Sequence, residues 1–178
     1  SKFTTSLASD QLTDNDEITV VVENLLCLPE SNCTVGHGFD VFEIAGINND
    51  SECNDEGYSN FTDLIANLEP DSTNSLTVTS NYGNQYIKVW IDFNDDFQLT
   101  ADEVVVDNYH FAAGQGSGNF TESFDLVVPS GATLGEHLMR ARASGVGVIS
   151  DDACQDIGFG ETEDYTAMIG SLGVEDYE

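Results

Sequence analysis

Residues 86–106 read Y-I-K-V-W-I-D-F-N-D-D-F-Q-L-T-A-D-E-V-V-V, and no other stretch of the chain limits its fold so much. Tyr86, Lys88, Trp90 and Asp92 alternate with Ile87, Val89 and Ile91, which predicts a strand, because branched and aromatic side chains suit a half-buried pleated surface. The alternation then breaks, and Asp92, Asn94, Asp95, Asp96, Asp102 and Glu103 offer hard oxygen donors before Val104 resumes a strand. Asp92, Asn94, Asp96, Gln98 and Glu103 fall at the first, third, fifth, seventh and twelfth places of a loop of EF-hand length, in which calcium takes about six to eight oxygens. Phe97 stands at the sixth place, where an EF-hand has Gly for its sharp turn. The flanks are strands, so the expectation is a calcium loop joining two strands, with Asp102 substituting if the register slips. The plain alternative is an acidic, solvated turn.

Composition narrows the rest. A chain of 178 residues is long enough for one domain with a proper core. With 33 acidic residues against four basic ones the formal charge is -29, which repels nucleic acid and anionic membrane surfaces and favours solubility. No apolar run approaches the roughly 18 residues of a membrane span, so no membrane insertion is expected. Four cysteines without a C-x-x-C pair point to two disulfides and an oxidising compartment, hence to a secreted, extracellular or cell-surface protein. The start, Ser1-Lys2-Phe3, lacks an apolar signal core, and the chain reads as an excised piece of a secreted protein with covalent neighbour domains, acting as a monomer.

Taken in order, residues 1–26 read as an N-terminal extension with an added strand at 17–23, residues 27–170 as the domain, and residues 171–178 as a linker. Alternation or β-branched runs predict strands at 39–47, 75–80, 86–92, 103–107, 119–128, 137–143 and 164–169. Residues 46–53 read as a turn away from the first of these, and residues 58–64 as an irregular connection with aromatic anchors. No helical period of useful length competes. The fold class expected is all-β: a single β-sandwich, jelly-roll-like, with residues 86–92 as a central strand.

Five motifs in order resemble the GEVED domain, a module named for a Gly-Glu-Val-Glu-Asp signature. They are Ile47-Asn-Asn, Gly57-Tyr-Ser-Asn-Phe-Thr62, Val89-Trp-Ile-Asp-Phe-Asn94, Leu134-Gly-Glu-His-Leu-Met-Arg-Ala-Arg142 and Gly160-Glu-Thr-Glu-Asp-Tyr165. The resemblance runs from Cys27 to Ile169, with Thr162 replacing the signature's Val. The family's loop continues N-x-D-G-D-F, whereas Asn94 here is followed directly by Asp95-Asp96-Phe97. Four cysteines allow three pairings. The resemblance implies Cys27 with Cys154, leaving Cys33 with Cys53. It also implies an accessory module of secreted bacterial proteases, glycan-degrading enzymes or adhesins.

Arg140 and Arg142 lie two apart on one strand face. They are expected to fork internally onto Glu161, Glu163 or Asp164, the other readings being capture of an anionic glycan group or a second cation held by those acids. Trp90 is expected in the core. Tyr109, His110 and Phe111, with Tyr82 and Arg142, are the candidates for a sugar-binding surface. His37, His110 and His137 share no metal-ligand spacing, and nothing singles out a catalytic triad or an acid pair, so no enzyme is expected. The function expected is non-catalytic binding of a polysaccharide. The alternative is a protein-binding, adhesive or spacer module without a glycan ligand.

Overall fold

The computed structural model of the chain describes residues 26–53 and 57–170. The strand expected at 17–23 and the linker at 171–178 lie outside the described residues. Nine strands form two sheets: β1 (Val41–Ile44), β2 (Ile47–Asp50), β3 (Tyr58–Leu68), β4 (Thr73–Tyr82), β5 (Gln85–Ile91), β6 (Val104–Phe111), β7 (Ser117–Val127), β8 (Gly135–Ser144) and β9 (Gly160–Ile169). One sheet runs β2-β1-β4-β7 and the other β3-β9-β8-β5-β6. Phe42, Leu76, Val78, Phe124 and Leu126 of the first meet Ile87, Val89, Met139, Ala141, Tyr165 and Ala167 of the second in one core. The fold is all-β, and the two sheets share that core as in a sandwich. The expected jelly-roll wiring is not shown by this order, in which β3 and β9 run parallel.

Two readings of the sequence are corrected. The strand expected at 39–47 is a hairpin, because Ala45 and Gly46 both adopt positive φ, 43° and 106°, and turn the chain back so that Val41 faces Asp50. Residues 58–64 are not irregular but open β3, whose register against β9 slips between Asn60 and Ile65. The cause of the slip is local: Asn60 Oδ1 accepts both the backbone N–H and the hydroxyl of Thr62, lifting residues 61–64 out of the ladder. The strand expected as central at 86–92 is interior: β5 pairs with β8 on one side and β6 on the other.

The larger sheet is also covered on its outer face. Trp90, Leu99, Ile149, Ala153 and Ile157 form a second apolar cluster there, so Trp90 is buried, but under the 145–159 segment rather than between the sheets. Two disulfides, Cys27 to Cys154 and Cys33 to Cys53, tie the segments before β1 to this segment and to the loop after β2. Among the described residues, no helix is long and apolar enough to cross a membrane.

Candidate functional site

The motifs of the sequence converge on one place. On β9, side chains alternate in direction, so Thr162 and Asp164 turn to the outer face with Arg140 and Arg142, their partners across the β8–β9 ladder. Glu161 and Glu163 turn inward with Tyr165, which lies in the core. Arg140 donates from Nε and Nη2 to the two oxygens of Asp164 at 2.7 Å each, and Nη2 also reaches the Cys27 carbonyl at 2.9 Å. Arg142 donates to Thr162 Oγ1 at 3.0 Å and to the carbonyls of Ala153 and Gln155 at 3.1 and 2.6 Å. Of the three signature acids, then, only Asp164 meets an arginine. Burial, and then the neighbouring Arg140 charge, push Arg142 down to about 10.

The inward glutamates sit in a different setting. Glu163 accepts from Ser51 Oγ at 2.8 Å and from the Tyr165 hydroxyl at 2.6 Å. Burial first, and the Glu161 charge second, push its carboxyl up to about 8. Glu161 accepts the Phe39 N–H at 2.9 Å. β3 closes the motif: Tyr58 donates to Asp164 Oδ2 at 2.9 Å and the Gly57 carbonyl accepts the Thr162 N–H at 2.9 Å. This cluster is buried and braces the two β8–β9 faces. It offers no open position to a ligand, so Arg142, expected on a sugar-binding surface, is placed inside instead.

The 92–103 loop holds itself by its own oxygens. Asp92 accepts from the backbone N–H of Asp96 at 3.2 Å and of Phe97 at 2.9 Å, Asn94 from Asp96 at 2.9 Å, and Asp96 from Gln98 at 2.8 Å. Phe97 adopts φ 60°, the left-handed conformation that an EF-hand gives to Gly, with the residue about half exposed. Asp95 turns away to His137 Nδ1 at 2.9 Å. Glu103 accepts from the N–H and hydroxyl of Thr100 through Oε2, while its buried Oε1 has no hydrogen-bond partner. Asp102 and Gln98 are exposed. The donor types suit calcium, but among the described residues no three His, Cys, Asp or Glu side chains are grouped as a metal set.

The aromatic candidates separate. Phe111 is buried in the core. Tyr109 lies flat against Phe124, centroids 3.9 Å apart, in an open groove of about 500 Å³ between β6 and β7 whose rim carries Asp107 and Asp125. His110 points the other way, stacks on Tyr86 at 4.5 Å and places Nε2 3.0 Å from Asn84 Oδ1. Tyr82, at the far side of the same turn, packs its ring 4.3 Å from that of His37, which in turn lies 6.1 Å from Phe159. Tyr82 and His110 thus share one end of the sandwich. His37 and Phe159 complete it; their local sequence carries no motif, only an absence of charge.

One comparison with known proteins agrees with the motif reading. Residues 86–168 match the model of the GEVED domain, a narrower span than the motifs cover, beginning after Ile47-Asn-Asn and the Gly57 motif. No curated protein matches the chain. Among solved structures, a Niemann-Pick type C2 protein from Japanese carpenter ant is similar with a TM-score of 0.41 and 9% identity, over 79% of this chain and 97% of that one. The strand pairing of residues 58–60 with the signature joins the outlying motif to residues 86–168, the segment that matches the GEVED domain model.

Proposed function

We propose that this chain is a non-catalytic accessory module of a secreted bacterial protein, and that it binds a polysaccharide at the end of the sandwich where Tyr82 and His110 flank a single turn. One observation carries the reading: two rings from separate strands are fixed at that turn, His110 by Tyr86 and Asn84, Tyr82 by His37. A fixed ring costs little conformational entropy on binding and presents an apolar face beside polar groups, the chemistry that a pyranose requires. Two disulfides suit an oxidising exterior. The 92–103 loop takes calcium, with Asp92, Asn94, Asp96, the Gln98 carbonyl and Glu103 as ligands and Asp102 in reserve. The orphaned Glu103 Oε1 and the left-handed Phe97 support this, and the cation would lock the loop between β5 and β6. Its role is structural, because no nucleophile or base stands beside it.

Affinity electrophoresis of the chain against neutral and acidic plant and marine polysaccharides tests the reading, with denatured collagen as a protein control. Retardation by a glycan, weakened in Tyr82→Ala and His110→Ala, is expected. Retention by the protein control, with no glycan retarding the chain, would replace it with an adhesive or spacer role.

A further inference from the structure

The end of the sandwich that carries Tyr82 is built from five segments: residues 34–39, 81–86, 112–118, 143–148 and 157–160. Hydrogen bonds and close packing join them. Gly83 N–H reaches the Gly116 carbonyl at 2.9 Å, Asn84 N–H the Ala112 carbonyl at 2.9 Å, and Gly145 N–H the Phe159 carbonyl at 2.8 Å. His37 lies directly on Gly145, where an added Cβ would sit 2.3 Å from the imidazole. At Gly160, with φ 157°, a Cβ would meet the Ala143 carbonyl at 2.0 Å. Glycine is required at both, so the close approach of His37 to the backbone at Gly145 and of Gly160 to Ala143 depends on them.

None of these segments contains Asp, Glu, Lys or Arg, in a chain of which 21% is charged and whose formal charge is -29. They hold most of its 16 glycines. Large apolar side chains are nevertheless left in water here: Val35, Val146 and Val148 are exposed at 48%, 63% and 70%, and Phe159 at 43%. Burial holds His37 below the ordinary imidazole range, so its ring adds no charge at neutral pH. Glu161, beneath the platform, is buried and accepts the Phe39 N–H. Asp40 gives one oxygen to the Asn81 amide at 2.8 Å. Chance exposure of scattered apolar residues needs no account, but a contiguous uncharged end on so acidic a surface does.

We infer that this end is a binding site for an uncharged polysaccharide, with Phe159 and Tyr82 as the ring platform over the buried His37, Val146 at its edge, and the amides of Asn84 and Gln115 beside it for hydroxyl groups. The assignment rests on the polysaccharide reading above and deepens it. Charge decides the class of ligand: an acidic protein repels uronate and sulfated chains wherever they approach, whereas a neutral chain meets no repulsion and finds here the one kind of surface that it matches. Glycine-rich loops offer little side-chain area for a protein partner, whose interface needs about 800 Å² on each side with buried anchors. Sugar rings need only a few fixed faces and hydrogen-bonding groups between them.

The test is isothermal titration of the whole chain with neutral and uronate polysaccharides, comparing Phe159→Ala, Val146→Asp, Leu134→Asp and Tyr109→Ala. Phe159 and Val146 are exposed, so neither change threatens the fold, and Leu134, also exposed, directly precedes β8, at the opposite end from Ser144. Neutral glycan should bind with little dependence on salt, and both Phe159→Ala and Val146→Asp should weaken it about tenfold or more, the loss of one good ring contact. Leu134→Asp should bind as the parent does. Binding that survives Phe159→Ala and Val146→Asp but fails in Tyr109→Ala would move the ligand to the β6–β7 groove and overturn this assignment while sparing the polysaccharide reading. A preference for uronate chains would overturn the neutral class. Concentration-dependent dimers abolished by Val146→Asp would make the end a contact between two copies and overturn it as well. Failure of the parent chain to bind any glycan would remove the polysaccharide reading itself.

Discussion

Arg140 and Asp164 face each other across β8 and β9 and close a two-armed bridge, 2.7 Å on each arm, with both side chains excluded from water. The same guanidinium bonds the Cys27 carbonyl, so one residue joins the middle of the larger sheet to the segment before β1. Breaking a buried pair from one side leaves an uncompensated charge and costs about 3–5 kcal/mol. Asp164→Asn should therefore lower the free energy of urea unfolding by that amount, and Thr162→Val, which takes only a hydroxyl from Arg142, should cost less. Equal small losses in both would remove the bridge from the account of stability.

Glu163 makes stability depend on pH in a definite direction. Its carboxyl, pushed up to about 8 by burial and by Glu161, holds its proton more tightly in the folded chain than in the unfolded one, where it titrates from 4.5. Its contribution is full below the unfolded value and is lost as pH rises through about 8. Thermal unfolding followed by circular dichroism should show Tm falling across that window, and Glu163→Gln should flatten the fall. A Tm that rises with pH there in the parent chain would contradict the assignment.

The strands were legible where one face is apolar and the other polar, as in 75–80 and 86–92. β3 was not, because the register slip between Asn60 and Ile65 breaks its alternation, and the β1–β2 turn was hidden in only Ala45 and Gly46. The inward and outward split of Glu161, Glu163 and Asp164 follows from strand alternation, yet which acid meets Arg140 required the β8–β9 register. The charge-free end escaped the motif search for a related reason: its residues come from five separate segments, and only the fold brings His37 beneath Phe159 and Tyr82.

The two disulfides should differ in weight. Cys27 and Cys154 are separated by 127 residues and Cys33 and Cys53 by 20, and loop-closure entropy assigns about 4–5 kcal/mol to the longer and about 3 kcal/mol to the shorter. Replacing Cys27 and Cys154 together by Ser should lower Tm more than replacing Cys33 and Cys53, as read by differential scanning calorimetry. The reverse order would show that native contacts, and not the unfolded chain, set their value.

Calcium should stabilise the folded chain alone. At a free concentration one hundred times its Kd, mass action adds about 2.7 kcal/mol, so a chelator should lower Tm and excess calcium restore it. Glu103→Gln should abolish the response while keeping the side chain's size. Identical melting curves with chelator and with calcium, together with no metal by elemental analysis, would leave 92–103 as a self-bonded acidic turn.

Hydrogen–deuterium exchange of the intact chain with and without a neutral polysaccharide tests the central claim most directly, since it reports the place and the fact of binding at once. Protection is expected in residues 34–39, 81–86, 143–148 and 157–160, with the β6–β7 groove and residues 134–136 unchanged. Protection confined to the groove, or no protection by any polysaccharide at concentrations that retard comparable modules, would contradict it.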